Sequence, residues 1–195
     1  MQIYNFYSNG ENALCLVDET KFGYFWNHFV GKPMARGWHP PKFSIVYPYR
    51  PVRDFVSWSD PIVSERAKNC LEPVIGPFVE FLPFASIKGK SFYAVNVLEV
   101  IDCLNRRASE PCVGKFVFNE KKLRPVPIFK VPKVTHIFVS DVFAQIVVDH
   151  KLTGAGFDDP ENFLWVKKPW NRTMEGLPPV KNFDVKEVVE KSKGA

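Results

Sequence analysis

Thr135–Phe157, THIFVSDVFAQIVVDHKLTGAGF, changes its hydrophobic period partway along. The β-branched and aromatic run Ile137, Phe138, Val139 stops at Ser140, and the apolar residues then fall at Phe143, Ile146 and Val147, with His150 further along that face. A period near two has become a period near 3.6, which predicts a strand running into a short helix. Ser140 and Asp141 suit the helix start, since a hydroxyl can accept from an unpaired backbone N–H and a carboxylate favours the positive end of the dipole. His150 and Lys151 suit the other end, and Gly154 and Gly156 prevent further helix. The predicted unit is strand, capped helix, glycine turn, and a return to extended chain at Phe157.

The unit has an earlier counterpart. Laid without a gap on Val139–Phe157, the stretch Val63–Phe81 (VSERAKNCLEPVIGPFVEF) places Ser64 on Ser140, Glu65 on Asp141 and Phe81 on Phe157. The inward positions coincide too: Ala67 on Phe143, Cys70 on Ile146, Leu71 on Val147. Identities are few, so two origins stay open, an internal duplication or two similar helix starts arising independently.

The remaining chain reads mostly as strand. Ile3–Tyr7 and Ala13–Val17 flank the turn signal Ser8-Asn9-Gly10 and predict a hairpin. Lys21–Val30 fits a short helix or a strand, and Phe43–Tyr47 is extended until Pro48 and Pro51 break it. The first capped helix is expected to begin in Trp58-Ser59-Asp60-Pro61, with the proline in or before the first turn. Phe78–Phe84 and Ser91–Val97 form a second expected hairpin about Lys88-Gly89-Lys90. Val97–Leu104 suits either one helical turn or continued strand. Lys115–Asn119, Val126–Val131 and Phe163–Val166 complete the extended segments. The fold class is therefore α+β, with largely antiparallel or mixed sheets and two short capped helices. Within one compact unit we divide the chain into a β-rich segment 1–57, an α+β core 58–172 and a tail 173–195. That tail is rich in proline, glycine and charge and is expected to be partly mobile.

Composition narrows the functional classes. With 195 residues, 46% hydrophobic and 15% aromatic, the chain can bury a sizeable core, while 17 prolines require many loops and strand ends. The net charge of +5 is spread along the chain, as on a solubilising surface, rather than gathered into a nucleic-acid groove. Cys15, Cys70, Cys103 and Cys112 form no CxxC pair and are expected by default to be buried, reduced thiols, with Cys112, in a loop after Pro111, the one open to exposure. The N-terminal stretch lacks a secretory pattern and no apolar run approaches membrane-spanning length, so the expected compartment is the cytosol and the expected membrane contact none.

Four segments in succession, PIVSERAKNCLE, VEFLPF, SFYAVNVLEVIDCLN and HIFVSDVFAQIVVDHKLTGAGFD, resemble a bacterial immunity-protein family first catalogued as a domain of unknown function. Its members are encoded beside toxins of polymorphic or contact-dependent systems. The likeness covers about Asp54 to Trp165 and lies in the order of segments rather than in one motif. It implies a cytosolic, non-enzymatic protein that binds and neutralises a cognate toxin domain, with 58–172 as the immunity-like core. It supplies no catalytic residue.

The residues themselves offer little chemistry. His136, Asp141, Asp149 and His150 are of metal-ligating type, but Asp149 and His150 diverge by about 100° on a helix, so we assign no metal. Asp158, Asp159 and Glu161 lack the calcium-loop pattern. Ser140 has no nucleophile elbow, Cys112 no activating neighbour, and Gly154 and Gly156 follow a helix where a phosphate site would need them to open one. No catalytic residue and no cofactor is expected. Trp165-Val166-Lys167-Lys168-Pro169-Trp170-Asn171-Arg172 sets aromatics among cations, as interfaces do, so Lys167, Lys168, Trp170 and Arg172 are the candidate partner contacts. The competing account is that Trp165 is core and Trp170 covers an apolar edge. The same mixture raises a nucleic-acid-binding module as an alternative, without any reader motif or dense basic stripe, so nucleic acid is not the expected partner. An unrecognised hydrolase built on His136 or His150 is the third reading. Oligomeric state is left open.

Overall fold

The strand-to-helix switch lies where the sequence puts it. In the computed structural model, which describes residues 1–8, 15–18, 24–56 and 61–161, Ile137–Ser140 is a strand (β8), Asp141–Asp149 a helix (α3) and Ala155–Asp158 a strand (β9). Phe143, Ile146 and Val147 are buried on the inner side of α3.

The companion unit has the same course. Ile62–Ser64 (β4) runs into Glu65–Ile75 (α2), and a 3-10 turn at Gly76–Phe78 leads into Val79–Ile87 (β5). The helix thus starts at Glu65 rather than in the Trp58–Pro61 stretch, and Pro61 precedes a strand. Pro73 lies inside α2 without ending it. Lys90–Val97 (β6) returns from β5 through the expected hairpin. Its two-residue turn, Lys88-Gly89, has φ of 49° and 76°, the geometry of a type I′ turn.

In each unit a further strand is wedged between the two that flank the helix. β6 lies between β4 and β5, antiparallel to both. In the second unit that place is taken by Ile3–Ser8 (β1), from the opposite end of the chain. β1 pairs antiparallel with β8 (Ile3 opposite Ser140) and with β9 (Phe6 opposite Phe157). Ile128–Lys130 (β7) adds to the outer side of β8, making a four-stranded sheet.

The expected N-terminal hairpin does not form, because both edges of β1 are taken. Cys15–Asp18 (β2) pairs instead with Phe43–Val46 (β3) in a separate two-stranded ribbon. Tyr24–His28 is a helix (α1), the helical one of the two readings of Lys21–Val30, whose first three residues lie outside the described ones. Val97–Leu104 is neither helix nor strand beyond its first residue, and touches other segments through the bridges Val100 to Lys130 and Leu104 to Phe118. Lys115–Asn119 likewise makes only isolated bridges. Phe163–Val166 and the tail 173–195 lie outside the described residues.

Burial on both faces explains why β8 reads as an unbroken apolar run up to Ser140. On one face of the large sheet Phe6 meets Phe55, Phe143 and Phe157, at ring-centroid distances of 5.4, 5.4 and 5.9 Å. On the other, Phe138 meets Phe116, Phe118 and Phe129 at 5.1, 5.0 and 5.6 Å. A sheet covered on both faces loses the in-out alternation of a solvated one. The small sheet is also covered twice. Val63, Val79 and Val95 join the main core with α2 and α3, while Ile62, Leu82, Phe84, Phe92 and Ala94 pack with Phe25 and Phe29 of the α1 region.

Candidate functional site

Lys167, Lys168, Trp170 and Arg172 lie outside the described residues. Of the other residues singled out, Asp141 is at the start of α3 and Asp149 at its end, where Gln145 donates to Asp149 at 2.7 Å. His136 precedes β8 with its ring 4.7 Å from that of Phe116, and burial lowers its pKa. Among the described residues, no group of three or more His, Cys, Asp or Glu is placed to hold a metal ion. Asp159 accepts from the Glu161 N–H at 2.9 Å, a local turn bond. Cys112 is exposed in a 3-10 turn, whereas Cys103 is buried and its pKa is pushed up to about 11, first by desolvation.

The two helix starts differ. The Ser64 hydroxyl accepts from the Ala67 N–H at 3.1 Å, as a capping serine should. Ser140 occupies the same position, yet its hydroxyl makes no cap bond and is buried without a partner. That corrects the expected serine cap on α3. Here β1 runs alongside, so the Asp141 N–H donates to the Gln2 carbonyl at 3.0 Å, and the Asp141 carboxylate accepts from the Val142 N–H at 3.1 Å.

A polar assembly joins the two units at Asp54, a buried residue that the sequence does not mark. Its Oδ1 accepts from the Ser64 hydroxyl at 2.8 Å. Its Oδ2 accepts from Arg66 Nη1 at 3.1 Å, the Thr153 N–H at 2.8 Å and the Thr153 hydroxyl at 3.0 Å. Arg66 Nη2 in turn donates to the carbonyls of His150 and Lys151, at 2.5 and 3.1 Å. Arg66 thus braces the chain just past α3, while the last carbonyls of the helix itself, those of Ile146, Val147 and Val148, accept from the backbone N–H groups of His150, Leu152 and Lys151; the guanidinium charge suits that end of the dipole. Gly154 (φ +92°) allows the close approach, because a Cβ there would stand 2.5 Å from the Phe55 carbonyl oxygen.

A cleft of about 440 Å³ opens beside this assembly. Arg53, Arg66 and Lys90 line it together with Asp54 and Glu65, and Gly89 of the β5–β6 turn forms part of its wall. Asp54 is already saturated by internal donors, so the groups left to meet a visitor are mainly cations. Next to the cleft, Tyr47-Pro48-Tyr49-Arg50 makes a turn closed by the Arg50 N–H on the Tyr47 carbonyl at 3.0 Å. Sequence reading saw only an extended run ending at prolines, although proline at the second position of a four-residue turn was the available signal.

This is an α+β chain built from two antiparallel units of like course, which share one hydrophobic core and are bridged by a buried carboxylate. It belongs to the Immunity protein family (Imm11), which it matches over residues 32–162. The match reaches further toward the N-terminus than Asp54, into the loop that Glu80 holds through the Met34 and Ala35 N–H groups at 2.6 and 3.1 Å. Membership points to toxin immunity in general, with a toxin protein as the kind of partner. No curated protein matches the chain. Among the described residues, no helix is long and apolar enough to cross a membrane.

Proposed function

We propose that the chain is a bacterial cytosolic immunity protein of a polymorphic toxin system, which binds its cognate toxin domain and neutralises it by non-covalent occlusion. The family match over residues 32–162 carries the reading. The use of polar side chains supports it: Asp54, Ser64, Arg66 and Thr153 are bonded to one another or to backbone, an arrangement that builds a scaffold for a surface. The function is binding without catalysis, and no cofactor takes part.

Charge favours one kind of contact. A chain of net charge +5 does not imitate nucleic acid, and its contact face meets an acidic or neutral surface. Lys167, Lys168, Trp170 and Arg172 belong to this proposal as contact residues.

Co-expression with the toxin domain encoded beside it tests the reading. Restored growth and a complex that copurifies at stoichiometry are the expected results. Cells that die equally with and without the chain would reject it.

A further inference from the structure

Among the described residues, one place combines aromatic anchors, cations and backbone held in an uncommon conformation, and it adds to the contact residues already proposed. Tyr49 is 78% exposed and Tyr47 41%, both high for residues that usually lose water on folding. Their rings meet edge to face at 6.2 Å, and the Arg50 guanidinium lies 4.1 Å from the Tyr47 ring centroid. The neighbouring β5–β6 turn is tied to them, since Lys88 Nζ donates to the Arg50 carbonyl at 3.2 Å. Ile45 of β3 is also exposed, at 45%.

Two of the four non-glycine residues with positive φ lie in these turns, the others being Lys133 and Lys151. Tyr47 and Lys88 adopt φ of 60° and 49°, in the left-handed region that bulky side chains rarely enter. A type I′ turn favours asparagine at the position Lys88 holds. Such outliers gather where a protein needs a side chain in a particular place.

We propose that the Tyr47–Arg50 turn and the Lys88–Lys90 turn together form the toxin-contacting face, with the tyrosines as anchors and the cleft beside Arg53 and Lys90 receiving carboxylate side chains from an acidic surface of the toxin. The occupant follows from charge: Arg66 and Asp54 offset each other at 3.1 Å, which leaves Arg53 and Lys90 against Glu65 around the cleft. Tyrosine and arginine are also the residues on which interface energy concentrates. This inference rests on the toxin-binding reading and deepens it.

Titration calorimetry of the full chain against the toxin domain encoded beside it provides the test. Tyr49→Ala should weaken binding by about 30-fold, as for an interface hot spot. Lys88→Glu with Lys90→Glu should weaken it by about 100-fold and flatten its dependence on salt. Lys121→Glu with Lys122→Glu, a reversal of equal size on another exposed turn, should leave affinity within about 2-fold, as for a charge away from the contact. Lys88→Asn guards against misfolding: it should raise the thermal midpoint by suiting the turn, while still weakening the complex about 5-fold. If the wild-type chain binds and the Tyr49 and Lys88/Lys90 variants bind as well, the proposed face is wrong and the immunity reading stands. If the wild-type chain does not bind at all, both fall together. Retention of single-stranded DNA that disappears in the Lys88/Lys90 variant, with toxin binding intact, would assign the face to nucleic acid and overturn the proposal.

Discussion

The two β-helix-β units share a course and differ in how they are completed. In the first, the middle strand β6 follows β5 directly through a two-residue turn. In the second, the middle strand β1 arrives from the far end of the chain. The first helix, α2, begins on a serine that caps it and also bonds Asp54, and α3 begins on a serine whose hydroxyl bonds nothing. Just past the other end of α3, the His150 and Lys151 carbonyls accept from Arg66 of α2. The first unit is thus closed mainly by its own residues, while the second depends on the N-terminal strand and on the first unit. Like courses do not imply like stability.

Asp54→Ala offers the largest perturbation of that dependence. The ion pair itself is worth little, because the Arg66 side chain is 53% exposed. Stranding the Ser64 hydroxyl and the Thr153 donors costs more, so the expected loss is about 3 kcal/mol, read from the urea midpoint. Hydrogen exchange should rise first in α3 and β9. A uniform rise across both units would show that Asp54 is not what links them.

The two serines give a sharper and smaller comparison. Ser64→Ala removes a cap and a donor to Asp54 and should destabilise by about 1.5 kcal/mol. Ser140→Ala removes a buried hydroxyl that has no partner, and should fall within about 0.5 kcal/mol of wild type or be stabilising. Equal losses at the two sites would break the distinction drawn between them.

The smallest expected effect concerns acid. Burial lowers the His136 pKa below its ordinary value of 6.5, so the unfolded state takes up a proton that the folded state resists. Stability contributed by the neutral imidazole is present above pH 6.5 and declines as pH falls through that value toward the lower folded pKa. Thermal midpoints measured between pH 7.5 and 5, taken as a range of about one unit or more either side of that value, should fall less in His136→Phe than in wild type. Parallel curves would show that burial of His136 does not couple stability to pH.

Much of each unit was legible because its signals are local. The change of period at Ser140, the matching of Ala67 with Phe143 and Leu71 with Val147, and the Lys88-Gly89 turn all involve residues a few positions apart. The N-terminal hairpin was misread for a related reason: Ser8-Asn9-Gly10 satisfies a local turn rule, and no local rule reveals that β8 and β9 compete for both edges of β1. The serine cap at α3 fails too: Ser140 makes no counterpart of the Ser64 to Ala67 bond, and the Asp141 N–H donates instead to the carbonyl of Gln2, from the far end of the chain. As for the candidate site, its cations and tyrosines could be seen one by one, but their meeting could not.

The amino-acid sequence alone determined the α+β class, the two strand-to-helix units, the tight turn between β5 and β6, and the likeness to immunity proteins. Each follows from side-chain period, capping chemistry or the order of segments. Only the tertiary structure decided which strand completes each sheet, that Asp54 joins Ser64, Arg66 and Thr153, and that the Tyr49 and Lys88 turns share one face. Strand partners and buried polar contacts are chosen between residues far apart in the chain, by which edges are free and which donors lose water together, and that competition leaves no local pattern to read.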